Sequence, residues 1–239
     1  MSVYQDIIVG VKDNKRLLAV LIDPDKMEIA DLPAFLSKLN ASSITYIFVG
    51  GSTVKDHVTE VLVQELKKHT SMKIVLFPGD ISQIAPSADA LLFLSLISGR
   101  NPEYLIGKHV KSVPNIKASN LEVISTGYVL IENGKESAVE RVTQTTPISR
   151  EDIDLICDTA KAGELLGMKL MYLEAGSGAK DSVPYEVVRR VKKDLSIPLI
   201  VGGGIRDQQQ IDKLFESGAD LIVIGTAIEN DESFINMIK

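Results

Sequence analysis

Short, predominantly apolar runs alternate along this chain with longer segments in which apolar residues recur every three or four positions. The first pattern is typical of buried parallel strands and the second of amphipathic helices. The apolar runs predict strands at residues 17–22, 43–49, 73–77, 90–94, 121–129, 169–173, 197–201 and 221–224. Because strands that alternate with helices form parallel βαβ units, the pattern predicts an α/β fold, a (β/α)8 TIM barrel. The 239 residues contain no linker-like segment and approach the roughly 250 of one such barrel, so we expect a single domain over residues 1–239.

Three segments depart from a regular barrel. Residues 2–14 precede the first strand and predict an amphipathic helix that covers the bottom of the barrel. Residues 81–85 are too few for a normal helix, so we expect the third helix to be degenerate or missing. The Asn133-Gly134 turn between β-prone runs favours a small hairpin over residues 129–141. The other helices are predicted at 31–39, 54–69 and 102–111, and from Ser149 or Glu151, Pro184 and Asp207.

Two glycine turns mark the last quarter of the chain. Gly202-Gly203-Gly204 follows the seventh predicted strand, and Gly225-Thr226 follows the eighth. Both turns lie at the carboxyl ends of parallel strands, where backbone N–H groups and the start of a short helix from Ala227 form a cradle for a phosphate dianion. The alternative is that these glycines only make tight turns between strand and helix. The pattern indicates a phosphate and does not identify a reaction.

Composition narrows the class of partner. A net charge of −6, with no cluster of Lys and Arg among aromatic residues, argues against nucleic-acid binding. The single Cys157 excludes an intramolecular disulfide and suits a cytoplasmic protein. His57, His69 and His109 do not have the spacing of zinc ligands. The apolar runs are too short to span a bilayer and no signal-peptide pattern is present, so we expect no stable membrane insertion.

Polar residues follow the first two predicted strands. Asp23 and Asp25 follow the first strand, and Ser52-Thr53 follows the second. Carboxylates and hydroxyls that meet at the same end of a barrel suit Mg²⁺, which keeps several waters and usually bridges substrate phosphates. The alternative is that Asp23-Pro24-Asp25 only forms a turn and caps a helix.

Glu174 follows the sixth predicted strand and precedes the loop Gly176-Ser177-Gly178. A carboxylate at a strand end beside a phosphate cradle is well placed to act as a general base. The alternative is an ion pair with Lys180 or Arg206 that stabilises the barrel rim. Two weaker candidates follow the fourth strand. Arg100 could contact a phosphate, and residues 104–106 could line an apolar groove, although we favour a core role for them.

Six motifs carry a resemblance to a known family: LIDPDK (21–26), FVGGST (48–53), SGRNPEYLIG (98–107), YLEAGSGA (172–179), VGGGI (201–205) and VIGTAIE (223–229). In this order, and over essentially the whole chain, they resemble geranylgeranylglyceryl phosphate synthases. The last two motifs are generic to phosphate-binding barrels, whereas YLEAGSGA with the aspartate-proline motif is more specific. The chain looks most like the archaeal and bacterial branch that lacks a lysine two residues before the aspartate. Leu21 stands there, so that lysine's phosphate contact is absent or supplied elsewhere.

The resemblance implies a prenyltransferase that joins the C3 hydroxyl of sn-glycerol 1-phosphate to geranylgeranyl diphosphate, or to a longer polyprenyl diphosphate, and releases diphosphate. It implies Mg²⁺ as cofactor at Asp23 and Ser52, Glu174 as the base, and a dimer or larger homo-oligomer. The implied glycerol phosphate site comprises Tyr172, Leu173, Glu174, Ala175, Gly176, Ser177, Gly178, Gly203, Gly204, Gly225 and Thr226. The prenyl tail needs an apolar groove, for which the short segment after the third strand leaves room.

The residues alone leave two other functions possible. A sugar-phosphate isomerase or epimerase would share the phosphate cradle, but such enzymes usually need two acid/base groups and only Glu174 is a clear candidate. A non-catalytic phosphate- or lipid-binding barrel is the other alternative, although Asp23, Ser52 and Glu174 are all present.

Overall fold

Eight parallel strands close into a barrel in which each strand pairs with the next along the chain and β8 pairs with β1. The computed structural model describes residues 1–238. The strands are β1 (Leu17–Ile22), β2 (Tyr46–Val49), β3 (Lys73–Leu76), β4 (Ala90–Leu96), β5 (Glu122–Leu130), β6 (Leu170–Glu174), β7 (Leu199–Gly202) and β8 (Leu221–Ile224). The predicted (β/α)8 TIM barrel is therefore confirmed.

Helices surround the barrel. They are α1 (Val3–Lys12), α2 (Leu32–Asn40), α3 (Val58–His69), α4 (Lys108–Lys117), α5 (Ala138–Thr143), α6 (Ile153–Leu165), α7 (Tyr185–Asp194), α8 (Gln208–Glu216) and α9 (Thr226–Asn230). Only a short 3₁₀ turn, Ile81–Gln83, lies between β3 and β4, so the predicted loss of the third barrel helix is correct. Within residues 1–238 we find no helix that combines the length and the apolar character needed to cross a bilayer.

Alternate residues along each strand face opposite sides of the barrel wall. Tyr46, Phe48 and Tyr172 belong to the apolar cluster inside the barrel. Ile47 and Leu173 belong to the cluster between the barrel and its helices. Because parallel strands are covered on both faces, their sequences are continuously apolar, which is the pattern that predicted them.

Helix α1 covers the bottom of the barrel, as predicted. The Ser2 side chain caps its first turn by accepting from the N–H of Gln5. Val3 and Ile7 are buried against the inner cluster at the amino ends of the strands. The N–H groups of Val3 and Tyr4 donate to the carboxylate of Glu122, the first residue of β5, over 2.5 and 3.2 Å. This anchor ties the start of the chain to the strand end opposite the candidate site.

The predicted hairpin over residues 129–141 is wrong. Strand β5 continues into a single parallel bridge between Ile131 and Ile148, and α5 forms in place of a second strand. Ser137 and Glu140 cap α5 reciprocally, because the Ser137 side chain accepts from the Glu140 N–H and the Glu140 side chain accepts from the Ser137 N–H. This capping box is visible in the sequence and competes with the Asn-Gly turn signal.

Two predicted helix boundaries also need correction. Helix α3 begins at Val58, four residues later than expected, after His57 in a left-handed conformation with φ of 68°. The predicted helix at 102–111 begins as a π-helical turn, Glu103–Gly107, and then runs as α4 through Pro114 to Lys117. The π turn matters for the site, because it carries Tyr104 to the wall of the cleft described below.

Candidate active site

A polar pocket, partly open to solvent, lies at the carboxyl ends of the strands. It brings together side chains or turns that follow β1, β2, β6, β7 and β8. The predicted site residues in its lining are Asp23, Ser52, Tyr172, Glu174, Ser177, Gly178, Gly203, Gly204, Gly225 and Thr226. The hydroxyls of Ser177 and Thr226 lie 3.5 Å apart, so the loops after β6 and β8 meet directly.

Glu174 ends β6 and is 6% exposed. Its Oε1 accepts from the N–H of Gly176 at 2.6 Å. Burial raises the pKa of Glu174 to about 7, although the hydrogen bonds from Gly176 and the Tyr172 hydroxyl oppose that shift. A carboxylate that titrates near neutrality can take a proton and release it again.

The alternative interpretation of Glu174 as an ion-pairing residue is wrong. Arg206 donates to the backbone carbonyl oxygen of Ala179 at 2.8 Å, not to Glu174. Lys180 is exposed, and the groups that act on the Glu174 carboxylate are the N–H of Gly176 and the hydroxyl of Tyr172. Among residues 1–238, Glu174 is therefore a buried carboxylate that faces the pocket without a basic partner.

Leu173 and Ala175, which the resemblance places in the glycerol phosphate site, do not direct their side chains into the pocket. Their side chains belong to the apolar layer between the barrel and the helices, because residues along β6 alternate between its two faces. The N–H of Ala175 is also occupied, since it donates to the carbonyl of Gly202 at 3.1 Å. Only main-chain atoms of these two residues could contact a ligand in the pocket.

Two glycines after β7 allow the backbone to pass close to Glu174. Gly203 and Gly204 have φ of 84° and 70°, a region that disfavours other residues. A Cβ at Gly203 would lie 2.3 Å from Oε1 of Glu174 and 2.8 Å from the nitrogen of Gly176. Because Gly203 has no side chain, nothing at this position clashes with the Glu174 carboxylate.

The aspartate and serine predicted to hold a metal line the same pocket. A Cβ at Gly51 would lie 3.2 Å from Oδ1 of Asp23, so the turn that carries Ser52 packs against this carboxylate. Asp23 also accepts from the N–H of Asp25 at 3.1 Å, which is the turn proposed as the alternative. Both interpretations of Asp23 are thus compatible with the fold. Asp25 instead accepts from the N–H of Lys55 at 3.2 and 3.4 Å, outside the pocket lining.

Sequence reasoning gave no role to Lys26. Its ammonium lies 2.9 Å from Glu229 and 3.5 Å from Asp23. Burial opposes the charge, but the hydrogen bonds and charges of Glu229 and Asp23 raise the pKa of Lys26 above its ordinary value. Leu21 lines the same pocket beside Gly225. In the sequence, only its position in the LIDPDK motif could have marked Lys26 as a candidate site residue.

An apolar cleft, partly open to solvent, joins the polar pocket on the side where the third helix is missing. Its walls come from the segment after β3, from β4, from the π turn with α4, and from α5. They include Phe77, Ile81, Ile84, Phe93, Tyr104 and Val142. Lys108 and Asp80 form an ion pair of 2.5 Å in this lining. His109 is buried there with Nε2 3.1 Å from the Ser95 hydroxyl, and burial lowers its pKa.

The two weaker candidates from the sequence, Arg100 and residues 104–106, lie in different places relative to this cleft. Tyr104 lines the cleft and also packs against the apolar cluster inside the barrel, whereas Ile106 is 59% exposed, so the core role favoured for residues 104–106 is wrong for Ile106. Arg100 donates to the carbonyl oxygens of Ile97 and Gly99 and belongs to neither the cleft nor the polar pocket. Phe77 and Tyr128, which no motif indicated, line both cavities.

Comparison with known proteins identifies the family. The model of the PcrB family matches residues 11–239. A geranylgeranylglyceryl phosphate synthase from Flavobacterium johnsoniae is 54% identical over 235 residues, covering 98% of this chain and 97% of that protein. Its counterpart from Zunongwangia profunda is 54% identical over 231 residues, covering 97% of this chain and 98% of that protein.

A solved structure also matches this chain over nearly its whole length. The crystal structure of (S)-3-O-geranylgeranylglyceryl phosphate synthase from Thermoplasma acidophilum, in complex with its substrate sn-glycerol-1-phosphate, superimposes with a TM-score of 0.92 at 33% identity. The match covers 99% of this chain and 95% of that one. The chain therefore belongs to the PcrB family, and its relatives over the whole length are geranylgeranylglyceryl phosphate synthases.

Proposed function

We propose that this protein joins the C3 hydroxyl of sn-glycerol 1-phosphate to a polyprenyl diphosphate, with geranylgeranyl diphosphate as the first donor to test. The observation that carries the proposal is the junction of the two cavities. A polar pocket that contains Glu174 and the glycine turns opens into an apolar cleft at Phe77 and Tyr128. A donor with a charged head and a long apolar tail, and a small phosphorylated acceptor, fit these two environments. Family membership supports the same reaction.

Glu174 is the proposed general base. As the ether bond forms, the acceptor hydroxyl loses its proton, and a carboxylate with a pKa of about 7 can receive it. The Tyr172 hydroxyl and the Gly176 N–H hold this carboxylate in place. The turns at Gly203-Gly204 and Gly225-Thr226, with the Ser177 and Thr226 hydroxyls, are the proposed site of the acceptor phosphate. Binding that phosphate would fix the position of the hydroxyl that reacts.

Mg²⁺ at Asp23 and Ser52 is part of the proposal. Within residues 1–238 no three His, Cys, Asp or Glu side chains are grouped to hold a metal ion. One carboxylate and one serine in the lining of the same pocket nevertheless fit Mg²⁺, which commonly binds through one or two carboxylates, waters and substrate phosphates. When bound there, the ion would neutralise the charge that develops on the diphosphate leaving group.

We expect chelation with EDTA to abolish turnover and added Mg²⁺ to restore it. Asp23→Asn should raise the Mg²⁺ concentration needed for half-maximal rate by about tenfold or more, since a contact to a charged group is worth about 1.5–3 kcal/mol. Asp25→Asn is the matched control and should leave that concentration unchanged, because Asp25 faces Lys55 outside the pocket. Equal effects of the two substitutions would contradict the assignment of Asp23.

We propose that Lys26 supplies the phosphate contact that Leu21 cannot make. Lys26→Met should raise the KM of either sn-glycerol 1-phosphate or the polyprenyl diphosphate about tenfold, which corresponds to about 1.4 kcal/mol of binding free energy. Glu229→Gln removes the ion pair but keeps the ammonium, so it should not raise either KM. If Lys26 only ties the loop after β1 to α9, both variants will behave alike in steady-state kinetics.

The test of the reaction itself is product analysis. Purified protein is incubated with Mg²⁺, geranylgeranyl diphosphate and either sn-glycerol 1-phosphate or sn-glycerol 3-phosphate, and the lipid extract is examined by mass spectrometry. We expect the ether product from the 1-phosphate alone. If no product forms with geranylgeranyl diphosphate, and none forms when the incubation is repeated with longer polyprenyl diphosphates, the proposal is overturned. The cytoplasmic location and the homo-oligomeric state expected from the sequence stay predictions.

A further inference from the structure

Three aromatic rings meet where the polar pocket opens into the apolar cleft. The ring centroid of Phe77 lies 5.2 Å from that of Tyr172 and 5.8 Å from that of Tyr128. The two tyrosine centroids are 5.4 Å apart. Phe77 lines both cavities and is half-buried, so part of its ring surface faces this junction.

The reacting carbon of the donor must lie at this junction if the proposed function is correct, because it connects the diphosphate head to the apolar tail. The bond from this allylic C1 to the diphosphate oxygen breaks, and its electron pair leaves with the diphosphate. The resulting positive charge is spread over the allyl group. The C3 oxygen of the acceptor then donates an electron pair to C1 to form the ether bond, and its proton passes to Glu174.

We infer that the face of Phe77 stabilises the allyl cation in this step and that Phe77 is a catalytic residue. An aromatic ring attracts a cation through its quadrupole, and the attraction is strongest where water is excluded. Of the three rings, Phe77 alone carries no hydroxyl group, so it has no oxygen that could attack the cation. The hydroxyl of Tyr172 is already engaged with Glu174. Tyr128 and Tyr172 pack against Phe77 and support its orientation.

A charge-stabilising ring makes a prediction that a merely space-filling ring does not. Phe77→Leu should lower kcat about tenfold or more, with the KM of both substrates changed by less than about threefold, because the interaction exists only once charge develops. Replacing Phe77 with phenylalanines that carry one, two and three ring fluorines weakens the quadrupole stepwise at nearly constant shape. We expect log kcat to fall linearly along this series.

Phe93→Leu is the matched control. Phe93 lines the apolar cleft against His109, with ring centroids 4.4 Å apart, and does not line the polar pocket. Its loss should raise the KM of the prenyl donor, and ring fluorination of Phe93 should produce no stepwise fall in log kcat.

The outcomes separate this inference from the proposed function. If the wild-type protein forms the ether product and kcat does not respond to fluorination, only the role of Phe77 is overturned. If Phe77→Leu changes KM in the same way as Phe93→Leu, the ring serves tail binding and the inference also fails. If the wild-type protein forms no ether product, the function and the role of Phe77 fall together.

Discussion

Glu174→Gln is expected to lower kcat by about 10²–10⁴-fold, the range that a positioned general base contributes. The substitution keeps the size of the side chain and removes its ability to accept a proton. In the wild-type protein, kcat/KM should fall about tenfold for each pH unit below about 7, because burial raises the pKa of Glu174 to about 7. The variant should lose that pH dependence. Steady-state rates from pH 5.5 to 9, with product measured by mass spectrometry, test both statements.

The same substitution should make the protein more stable at alkaline pH. A carboxyl group whose pKa is about 4.5 in the unfolded chain and about 7 in the folded one is protonated in both states below pH 4.5, and folding then carries no ionisation cost. Above pH 7 the folded state must hold a buried charge. We therefore expect Glu174→Gln to raise the free energy of unfolding at pH 8 by an amount on the order of 3 kcal/mol, and to leave it nearly unchanged near pH 4.5.

Denaturant unfolding at the two pH values measures this difference. Glu164→Gln provides a control of opposite sign. Burial opposes ionisation of Glu164, but hydrogen bonds from Lys161 and Ser196, and the charge of Lys161, lower the pKa of Glu164 to about 2. That residue lies far from the pocket, on α6, and its loss should not stabilise the protein at pH 8. An unchanged stability of Glu174→Gln at pH 8 would mean that Glu174 is not a high-pKa carboxylate.

Gly203→Ala is expected to lower kcat by about 100-fold. Its methyl group would lie 2.3 Å from Oε1 of Glu174, so the carboxylate must move, and a displacement of about 1 Å at a reacting group can cost that much. The left-handed conformation adds a strain of about 1–2 kcal/mol. Activity and the free energy of unfolding should therefore both decrease, and they can be measured on the same preparation.

Gly167→Ala separates the two effects. Gly167 also has a positive φ, of 91°, but a Cβ there would meet nothing within 4 Å. It should lose a similar amount of stability through strain and keep the wild-type kcat. If Gly203→Ala were as active as Gly167→Ala, the close approach of the backbone to Glu174 would have no catalytic importance.

Most of the fold could be predicted from the sequence because the signals are local. Each strand is a short apolar run, and the bounds of β1 and β8 agree with the predicted ones. Parallel strands direct all their carboxyl ends to one side of the barrel, so Asp23, Glu174 and Gly203 could be placed near one another from their positions after strands. Errors arose where two local signals compete, as between the Asn133-Gly134 turn and the capping box of α5.

The sequence by itself determined the barrel, its missing third helix and the strand ends that carry the candidate site, since these follow from patterns within about ten residues. Only the tertiary structure decided the chemical state and surroundings of that site. The pKa of Glu174 depends on burial by the closed barrel, and the pairing of Lys26 depends on Glu229, 203 residues away. The meeting of Phe77 with Tyr128 and Tyr172 brings together three separate segments, the residue after β3 and residues within β5 and β6. Burial and contact between distant segments are properties of packing, and they leave no local pattern in the chain.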